Sequence, residues 1–154
     1  MLDVLTELLA LVQAFREDGV DYAVCDGLAM AVHGFTRATE DIDLLVEPES
    51  LPKVREVAAR CGFRLRRSDI EFRSGARLAQ VLKTSPTSED FLLLDLMLVG
   101  DVTREAWNSR IDQPTPWGVI RVVSRDALKA MKRQAGRPQD LVDIQRMENP
   151  DDLR

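Results

Sequence analysis

Asp41 and Asp43 flank a single isoleucine in Asp41-Ile42-Asp43-Leu44-Leu45-Val46, and a third carboxylate, Asp95, interrupts the apolar run Phe91–Val99. The first run reads as a strand, stopped by Pro48, which has no N–H to give to a ladder. Side chains alternate along a strand, so both carboxylates project from one face, about 6.5–7 Å apart at their Cα atoms, while Ile42 points into the buried layer. Like charges so placed repel, and desolvation adds to the cost. A divalent cation relieves both, and oxygen-only donors suit Mg²⁺ or Mn²⁺ rather than zinc.

An unpartnered carboxylate in an apolar strand is heavily penalised. Asp95 must therefore find an arginine, backbone donors, or a metal shared with Asp41 and Asp43. If the two strands adjoin, three carboxylates can hold two Mg²⁺ ions about 3.5–4 Å apart, the arrangement that clamps an in-line phosphoryl or nucleotidyl transfer. Asp95 would then orient or deprotonate an attacking hydroxyl. Metal-dependent phosphodiester hydrolysis is the other chemistry open to such a cluster.

The elements that must carry these residues are legible in outline. Leu5, Leu8, Leu9, Val12 and Phe15 have helical spacing, and Gly19 closes that helix. Tyr22–Cys25 reads as a short buried strand and Gly27–His33 as a helix ended by Gly34. A helix follows from about Ser50 to Arg60. Further strands are predicted at Phe63–Arg67, Leu78–Lys83, Phe91–Val99 and Trp117–Val123, the third of these apolar enough for a central strand covered on both sides. Ser124 can cap a helix over Arg125–Ala135, and another runs from about Pro138 to Met147 after a break at Gly136. The expected class is α/β or α+β: one domain over residues 1–154 with a mixed β-sheet flanked by helices, and a C-terminal helix–break–helix at 125–148.

The composition, 45% hydrophobic and 31% charged, is that of a globular chain rather than a disordered one. No apolar run reaches the roughly 20 residues of a spanning helix, and Met1-Leu2-Asp3-Val4 lacks the basic start of a secretory signal, so no membrane partner is expected. The two cysteines, Cys25 and Cys61, belong to no zinc-type grouping, and a cytoplasmic protein with reduced thiols is expected. A net charge of −5 argues against a general polyanion binder. Against that trend, Arg60, Arg64, Arg66, Arg67, Arg73 and Arg77 crowd one stretch, either to meet phosphates or as a solvated basic strand and loop.

The stretch from Cys25 to Val46 resembles the nucleotidyltransferase superfamily, and looks closest to its AbiEii-like prokaryotic branch. The shared pattern is a strand, a small-residue pair, a helix, then Arg-x-Thr-x-Asp-hydrophobic-Asp, here Arg37-Ala38-Thr39-Glu40-Asp41-Ile42-Asp43. A second match covers Leu128–Ile144. The resemblance implies a polymerase-beta-like core and Mg²⁺-dependent transfer of a nucleotidyl group from an NTP such as ATP to a hydroxyl of an RNA, protein or small-molecule acceptor. A toxin–antitoxin setting, with a protein partner or homodimer, also fits it.

By the same resemblance Asp41 and Asp43 are metal ligands, joined by Asp95. The Asp26-Gly27 turn faces the triphosphate, Lys132 reaches the phosphates, Asp140 lies near the site, and Arg37 contacts phosphate or nucleotide. Relatives carry Gly-Gly or Gly-Ser where this chain has Asp26-Gly27. A carboxylate there would cap the helix N–H groups itself and repel a triphosphate, which keeps open a non-catalytic module of the same fold serving as a partner-binding or regulatory subunit. Simpler roles also stand for individual residues. His33 can cap carbonyls, Arg37 can pair with Glu40 or Asp41, Lys132 can be a solvated helix lysine, and Arg137 can pair with Asp143.

Overall fold

A computed structural model describes residues 2–35 and 39–149. The amphipathic first segment forms α1 (Val4–Asp18), capped by Asp3 through Thr6 and closed by Gly19 at φ 67°, a left-handed conformation that glycine adopts without penalty. A two-residue strand, β1 (Ala23–Val24), leads into α2 (Asp26–Val32). Then come β2 (Asp41–Val46), a single 3₁₀ turn (Pro48–Ser50), α3 (Leu51–Arg60), and the short β3 (Leu65–Arg66) and β4 (Ile70–Glu71). The long strands β5 (Arg77–Thr84) and β6 (Phe91–Leu98) follow. The last part holds α4 (Arg104–Asn108), β7 (Ile111–Thr115), β8 (Gly118–Val122), α5 (Arg125–Ala135) and α6 (Pro138–Glu148).

The strands make one mixed sheet in the order β3-β5-β6-β2-β1-β8-β7, with β4 also paired to β5. The β2/β6 and β1/β8 pairs are parallel and the rest antiparallel. In β2 and β6 the even-numbered residues are buried: Ile42, Leu44 and Val46 beside Leu92, Leu94, Leu96 and Leu98. They share one apolar cluster with Leu8, Leu11 and Phe15 of α1 and Val54 and Val57 of α3. Each such side chain contributes about 1.5–3 kcal/mol by leaving water.

The odd-numbered face differs from the sequence expectation. β6 is central, yet Leu93, Asp95 and Met97 are only partly buried, because this face opens on a cleft instead of a second packed layer. Three elements were not foreseen: β4, α4 and β7. The last contains Pro114, which a central strand excludes but an edge strand accepts, and β7 is at the edge of the sheet. The arginine-rich stretch runs from β3 through the loops around β4 to the first residue of β5, and Arg64, Arg66, Arg67, Arg73 and Arg77 are all exposed.

The C-terminal helix pair follows its sequence signals. Ser124 Oγ accepts a hydrogen bond from the Ala127 N–H at 3.1 Å, Gly136 turns the chain at φ 64°, and Pro138 opens α6. Among the described residues no helix is long and apolar enough to cross a membrane. Because Leu96 is fully buried, Leu96→Ala is expected to lower the unfolding free energy by about 2–5 kcal/mol, read as a lower midpoint in urea denaturation.

Candidate active site

Strand register builds the centre of the site. Asp43 pairs with Asp95 across the parallel β2/β6 ladder, and Asp95 pairs with Gln80 across the antiparallel β5/β6 ladder. The next position along the row is Cys25, whose N–H donates to the Asp43 carbonyl at 3.0 Å. Asp43 and Asp95 therefore point the same way, side by side on one face of the sheet. The Gln80 amide donates to Asp95 Oδ1 at 2.8 Å. Asp41 lies two residues before Asp43 on the same face, opposite Leu93.

Crowding and burial together set the acidity of these groups. Burial first, then the charges of Asp26 and Asp95, push the Asp43 carboxyl well above the ordinary carboxylate range. Asp41 is raised too, by burial and then by Asp95, Glu40 and Asp26. The buried Cys25 thiol is driven well up by desolvation and by Asp43, so it supplies no thiolate nucleophile.

The chain leaves β1 at the level of Asp43 and turns sharply into α2. Asp26 makes that turn at φ 57°, the one described non-glycine residue with positive φ. This costs an L-residue roughly 1 kcal/mol or more, least for Asp and Asn. Its carboxylate does not cap α2. The cap position is Cys25, with no side-chain cap bond, and Asp26 reaches Lys132 Nζ at 3.4 Å and Arg137 Nη2 at 3.6 Å. The N-cap expected from sequence is absent because the left-handed backbone swings the side chain toward α5 and α6.

Lys132 is not a solvated helix lysine. It is 2% exposed, and its ammonium faces Asp143 at 2.9 Å, Asp26 at 3.4 Å and Asp140 at 3.7 Å, three carboxylates around a group with three donors. Arg137 pairs with Asp140, not Asp143: its Nε donates to Oδ2 at 2.7 Å and its Nη2 to Oδ1 at 3.1 Å. Burial alone would raise the Asp140 carboxyl, but the side-chain and backbone hydrogen bonds from Arg137 outweigh it and hold it low. Asp143 is bound instead by Lys132 and by the Gln139 amide at 2.9 Å. His33 Nε2 meets the Val123 carbonyl at 2.8 Å, so it fastens the end of α2 to the end of β8 rather than capping its own helix.

These groups surround a cleft of about 650 Å³. Asp26, Asp43, Asp95, Lys132, Arg137 and Asp140 line its polar side, and Leu78, Met97, Val102, Leu128, Met131 and Phe72 its apolar side. Arg37 lies outside the described residues. Gln80, Arg137 as a tie to Asp26, and the cleft wall of α5 were not singled out from sequence. Gln80 did leave a trace there, as a polar residue inside the apolar run Leu78-Ala79-Gln80-Val81-Leu82.

The donor chemistry fits a hard divalent cation. Among the described residues no three carboxylate, histidine or cysteine side chains stand close enough together to enclose a metal ion. Mg²⁺ does not need such a cage, because it usually keeps several waters and is held by one or two carboxylates plus substrate phosphates. Asp43 and Asp95 supply that pair, and among the described residues no lysine or arginine lies within ion-pair distance of either.

The raised Asp43 carboxyl has a thermodynamic sign. The folded chain binds that proton more tightly than the unfolded chain, so its ionisation at neutral pH destabilises the metal-free fold. Lowering pH through the raised range toward ordinary carboxylate values relieves this, before the lowered Asp140 begins to lose its own contribution at still lower pH. Asp43→Asn is expected to raise the metal-free melting temperature at pH 7 by roughly 2–4 °C, the change about 1 kcal/mol brings in a chain of this size. It should also flatten the pH dependence of thermal melts on the alkaline side of the ordinary carboxylate range.

No family model matches the chain, and no curated protein matches it in sequence. Solved structures do. The Thermotoga maritima protein TM1012, described as a candidate nucleotidyltransferase, superposes with a TM-score of 0.64 at 15% identity, covering 95% of this chain and 92% of that one. ANT(2")-Ia in complex with adenylyl-2"-tobramycin gives 0.62 at 19% identity, covering 94% and 87%. The solution structure of the same antibiotic-resistance factor gives 0.63 at 20% identity, covering 94% and 82%. The chain has the fold of these nucleotidyltransferases, and at such identities the likeness speaks for the fold alone.

Proposed function

We propose that this protein transfers a nucleotidyl group from an NTP to an acceptor hydroxyl with the help of Mg²⁺ or Mn²⁺. One observation carries the reading: Asp43 and Asp95 stand side by side at a cleft, their charges uncompensated by any described lysine or arginine. In a purely structural setting that juxtaposition is a cost with no return. A bound divalent cation would neutralise the carboxylates and the charge developing on the transferred phosphate. Asp43 and Asp95 would hold it, and Asp41, two residues along the same face, would add its negative charge to the site without completing a three-carboxylate cage.

The chain's own residues then divide the remaining work. Asp95 takes the proton of the acceptor hydroxyl as its oxygen attacks the α-phosphorus and pyrophosphate leaves. The Asp26-Gly27 turn and Lys132 would form the nucleotide side, Asp140 bracing it by fixing Arg137 at the head of α6, and Arg37 is proposed as a phosphate or nucleotide contact from its place in the sequence alone. The apolar wall of Met97, Leu128 and Met131 receives the acceptor. A small molecule suits a cleft of about 650 Å³, and the adenylyl-2"-tobramycin held by ANT(2")-Ia is an adduct of that kind on the same fold. The setting we propose is cytoplasmic, where NTP and Mg²⁺ are both abundant.

The test is transfer of label from α-³²P NTPs with Mg²⁺ to small polyhydroxyl acceptors, bulk RNA and the protein itself. Asp95→Asn is expected to lower the rate by about 10²- to 10⁴-fold while the protein remains folded by circular dichroism. Absence of both transfer and millimolar NTP binding in folded wild type would overturn the reading. Labelled RNA would instead favour the toxin-like role.

Asp26 supports a second reading, a non-catalytic regulatory module. Its carboxylate occupies Lys132 and Arg137, the cations a phosphate would seek. Asp26→Gly separates the two and also removes the positive-φ strain. Tighter NTP binding in calorimetry without any transfer would support the module, whereas weakened Mn²⁺ binding would assign Asp26 to a working metal site.

A further inference from the structure

Gln80 has no role in the scheme above, yet its position is unusual. It is 9% exposed in the middle of β5, between the buried Ala79 and Val81. Valine or leucine would fill such a place without the cost of burying an amide. The β5/β6 register sets it directly opposite Asp95, and its Nε2 donates to Asp95 Oδ1 at 2.8 Å. Only the amide NH₂ can face an ionised carboxylate, because the amide oxygen would repel it.

The identity of the partner matters as much as the contact. An apolar strand carrying one carboxylate would ordinarily answer it with arginine. Arginine at 80 would neutralise Asp95 and compete with a divalent cation for it. Glutamine fixes one carboxylate oxygen with a hydrogen bond and leaves the negative charge in place. Asp95 cannot turn away from Asp43 without breaking that bond, so the second oxygen is kept toward Asp43 and the cleft.

We infer that Gln80 is the positioning residue of the metal site, holding Asp95 in the orientation that binds a divalent cation together with Asp43. This rests on the metal-dependent reading of the cleft. Groups that hydrogen-bond to a metal ligand in this manner typically change metal affinity by 10- to 100-fold when removed.

The experiment is a Mn²⁺ titration of the full chain, followed by the electron paramagnetic resonance of free Mn²⁺, with circular dichroism confirming the fold of each variant. Gln80→Leu should weaken Mn²⁺ binding by roughly 10- to 100-fold. Gln80→Asn keeps the amide with little loss of volume but is one methylene too short to reach Asp95, so it should weaken binding as well. Asp95→Asn should weaken binding, and adding Gln80→Leu to it should cause no further loss, because the two changes remove one linked arrangement. A structural effect of residue 80 would instead add to that of Asp95→Asn. Wild-type binding of Mn²⁺ with equal binding by Gln80→Leu, or additive losses in the double variant, overturns the assignment and leaves the metal-dependent reading standing. No Mn²⁺ binding by folded wild type overturns both.

Discussion

Parallel pairing of β2 with β6 sets Asp43 beside Asp95, and this forced contact of two carboxylates governs how the surrounding structure is arranged. The register cannot slip to relieve it. A shift of one residue would turn the apolar set of the slipped strand, Ile42 and Leu44 or Leu94 and Leu96, out of the core and into the cleft. The apolar face of the sheet thus holds the repulsion in place, and the raised Asp43 carboxyl is its electrostatic consequence. A cation would relieve the repulsion, which ties the stability of the site to its proposed chemistry.

Charge is handled differently a few ångströms away. Around Lys132 the negative groups are compensated: Asp143, Asp140 and Asp26 all meet its ammonium, and Arg137 binds two of the three. This network fastens the first turn of α2 to α5 and α6. Its cost is visible in the left-handed backbone of Asp26. Strain of this sort persists only where surrounding contacts over-determine it, and two ion pairs do so here. Compensated carboxylates on one side and uncompensated ones on the other give the cleft its polarity.

The apolar half of the cleft comes from the odd-numbered face of β6 and from α5, through Met97, Leu128 and Met131. On the proposed function, such a wall would suit an acceptor with an apolar or flat face, and the carboxylates one that carries positive charge. The same fold holds an adenylylated aminoglycoside in ANT(2")-Ia.

Local signals in the sequence determined the elements that depend on neighbours along the chain. Gly19 and Gly136 ended their helices, Ser124 capped α5, and the alternation in Asp41–Val46 placed two carboxylates on one face. The carboxylate chemistry was legible for the same reason, since period-two geometry is local. Partners were not legible, because they come from residues 15 to 106 positions away: Gln80 for Asp95, and Lys132 for Asp26. From sequence, an arginine for Asp95 and a cap role for Asp26 were equally reasonable. Only strand order and the left-handed turn at Asp26 decided otherwise, since hydrogen-bond partners across a sheet are set by register and not by residue type.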